Sequence, residues 1–76
     1  MSTFEKVKAV IVESLNIDGE VVTENASLSE DLGADSLSAV ELIMALEDKF
    51  CISVPEDASK DVRTVNDLVM LVNALA

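Results

Sequence analysis

From Ser36 to Phe50 the chain runs 15 residues without Gly or Pro and is rich in Leu, Ala, Met and Glu, a composition that favours helix over other local structures. Turning about 100° per residue, such a helix gathers Ala39, Leu42, Ile43, Leu46 and Phe50 into one apolar stripe. Leu37, Val40 and Met44 fall into a second cluster roughly opposite Leu42 and Leu46, interleaved with Glu41, Glu47 and Asp48. One buried stripe cannot account for both. A helix buried all round would enclose those carboxylates in a chain with only 5 bases, and unpaired buried charge is costly. The better account puts the stripe on a core and leaves the second cluster as an exposed docking surface. There the apolar knobs supply affinity, the adaptable Met44 thioether suits several partners, and the carboxylates steer basic ones.

The flanking segments follow the same helical logic. Phe4, Val7, Ile11 and Leu15 recur at three- and four-residue steps across Thr3 to Leu15, predicting an amphipathic first helix. Thr3 is its expected cap, with Lys6 where a capping box would want Glu or Gln. Asn16 to Asp35 shows no sustained period and holds both glycines among turn-forming Asp, Asn and Ser residues. A loop of that length is uncommon in a compact domain unless it is functional or disordered. Ile17, Val21, Val22, Leu28 and Leu32 are expected to anchor it to the core. Pro55 interrupts Ile52 to Asp61, where Glu56, Asp57 and Ala58 suit one short helical turn. Thr64 then precedes a last helix carrying Val65, Leu68, Val69, Leu71, Val72 and Leu75. No segment alternates as a strand would. The expected class is all-α, a small antiparallel bundle of three main helices plus one short helix, with a long ordered loop between helices one and two. A chain of 76 residues holds a single domain, residues 1–76, because each self-sufficient core needs roughly 100 residues.

Composition narrows the function further. There is no His, Trp or Tyr, and Cys51 is the only cysteine, so the commonest general base, a structural zinc site and an internal disulfide are all missing. With only Gly19 and Gly33, neither a P-loop nor a dinucleotide-binding glycine fingerprint can form. The chain is expected not to be an enzyme. Its net charge of −10, from 15 acids and 5 bases, argues against nucleic acid and anionic membranes. An apolar run such as Leu42 to Leu46, equalled in length but not exceeded elsewhere in the chain, is far short of the roughly 20 residues that span a bilayer. The first residues resemble neither a signal nor a transit peptide, and a cytoplasmic monomer is expected. Glu30, Asp31 and Asp35 lack the spacing of a calcium loop, so no metal site is assigned.

Asp35 and Ser36 stand where loop becomes helix, and Asp35 is a natural N-cap, although Ser38 and Glu41 offer a rival capping-box spacing. The wider stretch says more. Glu30-Asp31-Leu32-Gly33-Ala34-Asp35-Ser36-Leu37, followed by Val40-Glu41-Leu42 and Met44-Ala45-Leu46-Glu47, closely resembles the acyl carrier proteins of dissociated (type II) fatty-acid synthesis. The resemblance continues without gaps through Val54-Pro55 and Thr64-Val65. It implies that Ser36 receives 4′-phosphopantetheine from coenzyme A, making the chain a phosphoprotein whose arm carries growing acyl chains as thioesters. The new phosphodiester would lie near open amides at a helix N-terminus, where the dipole favours an anion. Ser36 has no His to activate it, so a separate phosphopantetheinyl transferase, magnesium-dependent by resemblance, must make the bond.

The same resemblance implies fatty-acid synthesis enzymes with basic patches as partners, docking on Asp35, Leu37, Val40, Glu41, Met44, Glu47 and Asp48. Matching positions for a shelter around the acyl chain are Leu28, Leu32, Leu46, Val54, Val62, Leu68 and Leu71, which ordinary core packing would explain equally well. Ser38, Cys51 and Ser53 stand where many members carry acids, so the family's weak divalent-cation sites are not carried over. Cys51 reads as a small side chain beyond helix two. A polyketide or other specialised carrier has the same motif, and an unmodified acidic helical adaptor would use the same apolar knobs.

Overall fold

The three long helices begin where a short polar side chain stands in extended backbone. The computed structural model describes residues 2–60 and 62–76, with the side chains of Ser36, Glu56 and Ser59 outside the description. The first helix, α1 (Thr3–Leu15), is capped by Ser2, whose hydroxyl accepts the Glu5 N–H at 3.2 Å. The expectation of Thr3 as cap is therefore corrected by one residue. Thr3 is already helical, and its hydroxyl instead donates to Asn73 Oδ1 at 2.7 Å. That bond joins the start of α1 to the end of the last helix, as antiparallel neighbours require.

Helices α2 (Ser36–Phe50), α3 (Glu56–Ser59) and α4 (Val65–Leu75) complete the order, with one 3₁₀ turn at Gly19–Val21 inside the long loop. The short helix falls within the segment expected for it, whose last residue, Asp61, lies outside the described residues. Asn16 and Cys51 close α1 and α2 in left-handed backbone, with φ of 55° at each. That conformation costs an ordinary residue roughly 1–2 kcal/mol. Cys51 thus serves as a backbone terminator.

Helix α1 packs against both α2 and α4. The core is aliphatic, with Val7, Ile11, Leu42, Val65 and Leu68 at 0 % exposure and Leu46 at 1 %. No buried polar or charged residue is found among the described residues. The long loop joins this core through Val22, Ala26, Leu28, Leu32 and Ala34, all buried, while Ile17 is half-buried. Val21 departs from expectation. It ends the 3₁₀ turn at 47 % exposure, and Val22 takes the inward position instead.

The loop is held by backbone as well as by burial. Leu28 N–H donates to Arg63 O at 2.9 Å, Val65 N–H to Ala26 O at 3.1 Å and Asn66 N–H to Glu24 O at 2.9 Å. Ser27 and Thr64 form an isolated antiparallel bridge. Asp31 Oδ2 accepts the Ser27 N–H at 2.7 Å, closing the turn that leads to Gly33 at φ +69°. A side chain at Gly33 would meet open space, so backbone conformation, not crowding, favours glycine there. This wiring delivers the chain to the first turn of α2.

Candidate functional site

Ser36 is the first helical residue of α2, and the cap in front of it is Asp35. The Asp35 carboxylate accepts the Ser38 N–H at 2.8 Å, which decides between the two capping patterns open in the sequence. That hydrogen bond, with help from the Ser38 hydroxyl and less from the Leu37 amide, holds the Asp35 carboxyl below its ordinary value of 3.8. This agrees with the reading of Asp35 as the N-cap. The first-turn amides do not all stand open to an anion, because a carboxylate already occupies part of the helix N-terminus. The side chain of Ser36 lies outside the described residues, and the backbone alone places it.

Beyond Ser36 the two faces of α2 separate as the periodicity predicts. Leu42, Ile43 and Leu46 are buried, with Ala39 and Phe50 half-buried beside them. Leu37, Val40 and Met44 are 68, 53 and 60 % exposed. Asp35, Glu41 and Asp48 are exposed with them, so six of the seven expected docking residues share an open surface at and beyond the helix start. Glu47, the seventh, is half-buried, and its Oε2 accepts the Val54 N–H at 2.8 Å. It ties the segment after α2 back to the helix, a structural role that spacing within one helix could not reveal.

Of the residues matched to an acyl shelter, Leu28, Leu32, Leu46 and Leu68 are buried, while Val54, Val62 and Leu71 are half-buried. Two clefts are lined by three of them, Leu28, Val62 and Leu71. One, of about 450 Å³, runs beside the start of α2, between Ala34, Asp35 and Ala39 on one side and Leu28, Val62 and Arg63 on the other. A smaller one of about 280 Å³ lies between α3 and α4 and includes Val62 and Leu71. Leu46 and Leu68 line neither cleft. Ala34, Ala39 and Arg63 entered no sequence-based site, since nothing local in the chain brings them together. Among the described residues no group of acidic or Cys side chains is arranged to hold a metal ion. No helix among them is long and apolar enough to cross a membrane.

Residues 5–72 match the family model described as the phosphopantetheine attachment site. The fold is similar to that of Rv0033 from Mycobacterium tuberculosis, a protein provisionally designated an acyl carrier protein, with a TM-score of 0.90 and 34 % sequence identity. That match covers 96 % of this chain and 97 % of the other. A helical scaffold, an acidic and apolar helix face left open, and a match across nearly the full length lead to one assignment. The chain belongs to the phosphopantetheine-attachment family, and is a carrier that uses 4′-phosphopantetheine rather than an enzyme.

Proposed function

We propose that residues 1–76 act as one cytoplasmic, monomeric acyl-carrier domain that bears its arm on Ser36 and delivers growing fatty-acyl chains to the enzymes of their synthesis. The observation that carries this reading is the position of Ser36. It is the first residue of α2, directly behind the Asp35 cap and directly before Leu37, which is 68 % exposed. In the chain Ser36 stands between Asp35, which lines the 450 Å³ cleft, and the exposed Leu37, a position that suits attachment of the group. When bound, the arm supplies a thiol that holds an acyl group as a thioester.

The chain's own residues present and orient. Asp35 fixes the start of the helix, Leu37, Val40 and Met44 offer apolar contacts, and Glu41 and Asp48 attract basic patches over a distance of order 10 Å. In the loading step the Ser36 hydroxyl oxygen forms a bond to phosphorus of coenzyme A's pyrophosphate as the pyrophosphate P–O bond breaks, and adenosine 3′,5′-bisphosphate departs. The proton goes to a base on the transferase, since this chain has no His. Long acyl chains are sheltered by parting the helices around Leu28, Leu32, Leu46, Val54, Val62, Leu68 and Leu71, because Leu46 and Leu68 are only 1 and 0 % exposed in the closed form.

Intact-mass measurement after incubation with coenzyme A, magnesium and a phosphopantetheinyl transferase tests the attachment. The wild-type chain should gain one phosphopantetheine and Ser36→Ala none. Modification of the Ser36→Ala chain, or none of the wild type beside a control carrier that converts, would sink the reading. Loading the arm with acyl groups of increasing length then tests the cargo, with thermal stability rising along the series if the interior receives them.

A further inference from the structure

Between α1 and α2 runs a groove of about 400 Å³, lined by Val10, Glu13 and Ser14 on one side and Ala45, Asp48 and Lys49 on the other. Val10 is buried and Ala45 half-buried, while the other four are exposed. Ala45 and Asp48 also line a shallow depression on the docking face with Met44 and Glu47, so groove and face form one continuous surface. Lys49 is the only base in α2. Glu47 lies roughly 160° around the helix from it, where its carboxylate is engaged by the Val54 N–H. The area a partner needs brings the groove into play. With 15 residues, α2 is about 22 Å long and about 10 Å across, a strip of roughly 200 Å² against the about 800 Å² that each partner gives to a standard interface. An enzyme docked on α2 therefore rests on a flank as well, and the α1 flank offers unengaged charge of both signs beside a hollow.

Taking the attachment at Ser36 as given, we propose that the transferase that loads Ser36 also covers this groove, and that Lys49 is a specificity-determining residue there, calling for a carboxylate at the end of the transferase's basic patch. Lys49 stands in the last turn of α2, about 20 Å along the axis from Ser36. A wholly basic patch laid along the helix to meet Glu41 and Asp48 would set like charge against Lys49, and such a juxtaposition across an interface is costly. A carboxylate bordering the patch makes the same position attractive. It also fixes the register, since a patch displaced by one turn would lose that pairing. Glu13, across the groove, extends the acidic surface onto α1 for basic groups beside that carboxylate.

The test uses the full chain with a phosphopantetheinyl transferase, coenzyme A and magnesium, and measures KM and kcat separately for the wild type, Lys49→Arg, Lys49→Gln and Lys49→Glu. KM should rise about twofold in Lys49→Gln and about fivefold in Lys49→Glu, the range of one exposed ion pair, with kcat unchanged and Lys49→Arg close to the wild type. Added salt should narrow the difference. Titrating the transferase into the Ser36→Ala chain, which has no hydroxyl to modify, should shift the Glu13, Ser14 and Lys49 amides together with those of Leu37, Val40 and Met44. A lower KM in Lys49→Glu overturns the proposal, because the patch would then be basic throughout. Equal KM values in all four chains, or unmoved Glu13 and Ser14 amides, overturn it as well. A lysine in the last turn also suits the negative end of a helix, so thermal unfolding of each variant is recorded. A rise in KM that appears only where the melting temperature has fallen to the assay temperature assigns Lys49 to stability and overturns its role in docking. Each of these results leaves the attachment intact. No mass gain in the wild type beside a control carrier that converts overturns the attachment and this proposal together.

Discussion

Helices α2 and α4 start in different ways, and the difference separates function from scaffold. At α4 the cap is reciprocal. Thr64 Oγ1 accepts the Asp67 N–H at 3.3 Å while Asp67 Oδ2 accepts the Thr64 and Arg63 amides at 3.1 and 3.0 Å. The same turn is bonded to the long loop through Ala26, Glu24 and Leu28, and Val65 and Leu68 are fully buried behind it. At α2 the cap runs one way, from Asp35 to the Ser38 amide, and the residues that follow Ser36 include exposed Leu37 and Val40. A helix start closed on itself has few polar groups left for chemistry. At α2 the single-sided cap is followed by exposed side chains, as the proposed attachment at Ser36 needs.

Four perturbations sharpen or break this contrast. The largest effect is expected from Leu68→Ala, which empties part of the closed core and should cost about 3 kcal/mol in urea unfolding. Thr64→Ala removes one half of the reciprocal cap and should cost about 1 kcal/mol by the same measurement. Third comes acid. Asp67 is held below 3.8 chiefly by the Arg63 and Thr64 amides, and Asp35 by the Ser38 amide. A carboxyl more acidic in the folded than in the unfolded chain contributes stability that is complete above the unfolded value and lost as pH falls through the folded one. Stability should therefore erode below the ordinary 3.8, and Asp67→Asn should flatten that erosion. The smallest stability effect belongs to Leu37→Ala, within about 0.5 kcal/mol because its side chain is exposed, although conversion by the transferase should slow. A large loss of stability in Leu37→Ala would show that the α2 face is scaffold after all.

Much of this architecture is readable without coordinates because its causes are local. The bounds of α1 and α2 follow from runs of helix-forming residues and apolar steps of three and four, and both agree with the structure. The exposed cluster of Leu37, Val40 and Met44 follows from the same geometry, since the carboxylates interleaved with it keep that face out of the core. The misplaced cap of α1 shows the resolution of such reasoning. Ser2 and Thr3 are both good caps, and the choice went to Ser2 when Thr3 found Asn73 on a distant helix. Val21 and Val22 are indistinguishable in sequence, and only the 3₁₀ turn sorted them.

By itself, then, the sequence determined the helices, the acidic and apolar face of α2 and the motif around Ser36. Each depends on residues within a few positions of one another. Tertiary structure decided the rest: that Glu47 is a tether for Val54, and that Arg63 shares a cleft with Ala34 and Ala39. The cleft brings residues of the long loop beside those preceding α4. Chain segments that far apart meet only through folding, and no spacing rule encodes which side chains they bring together.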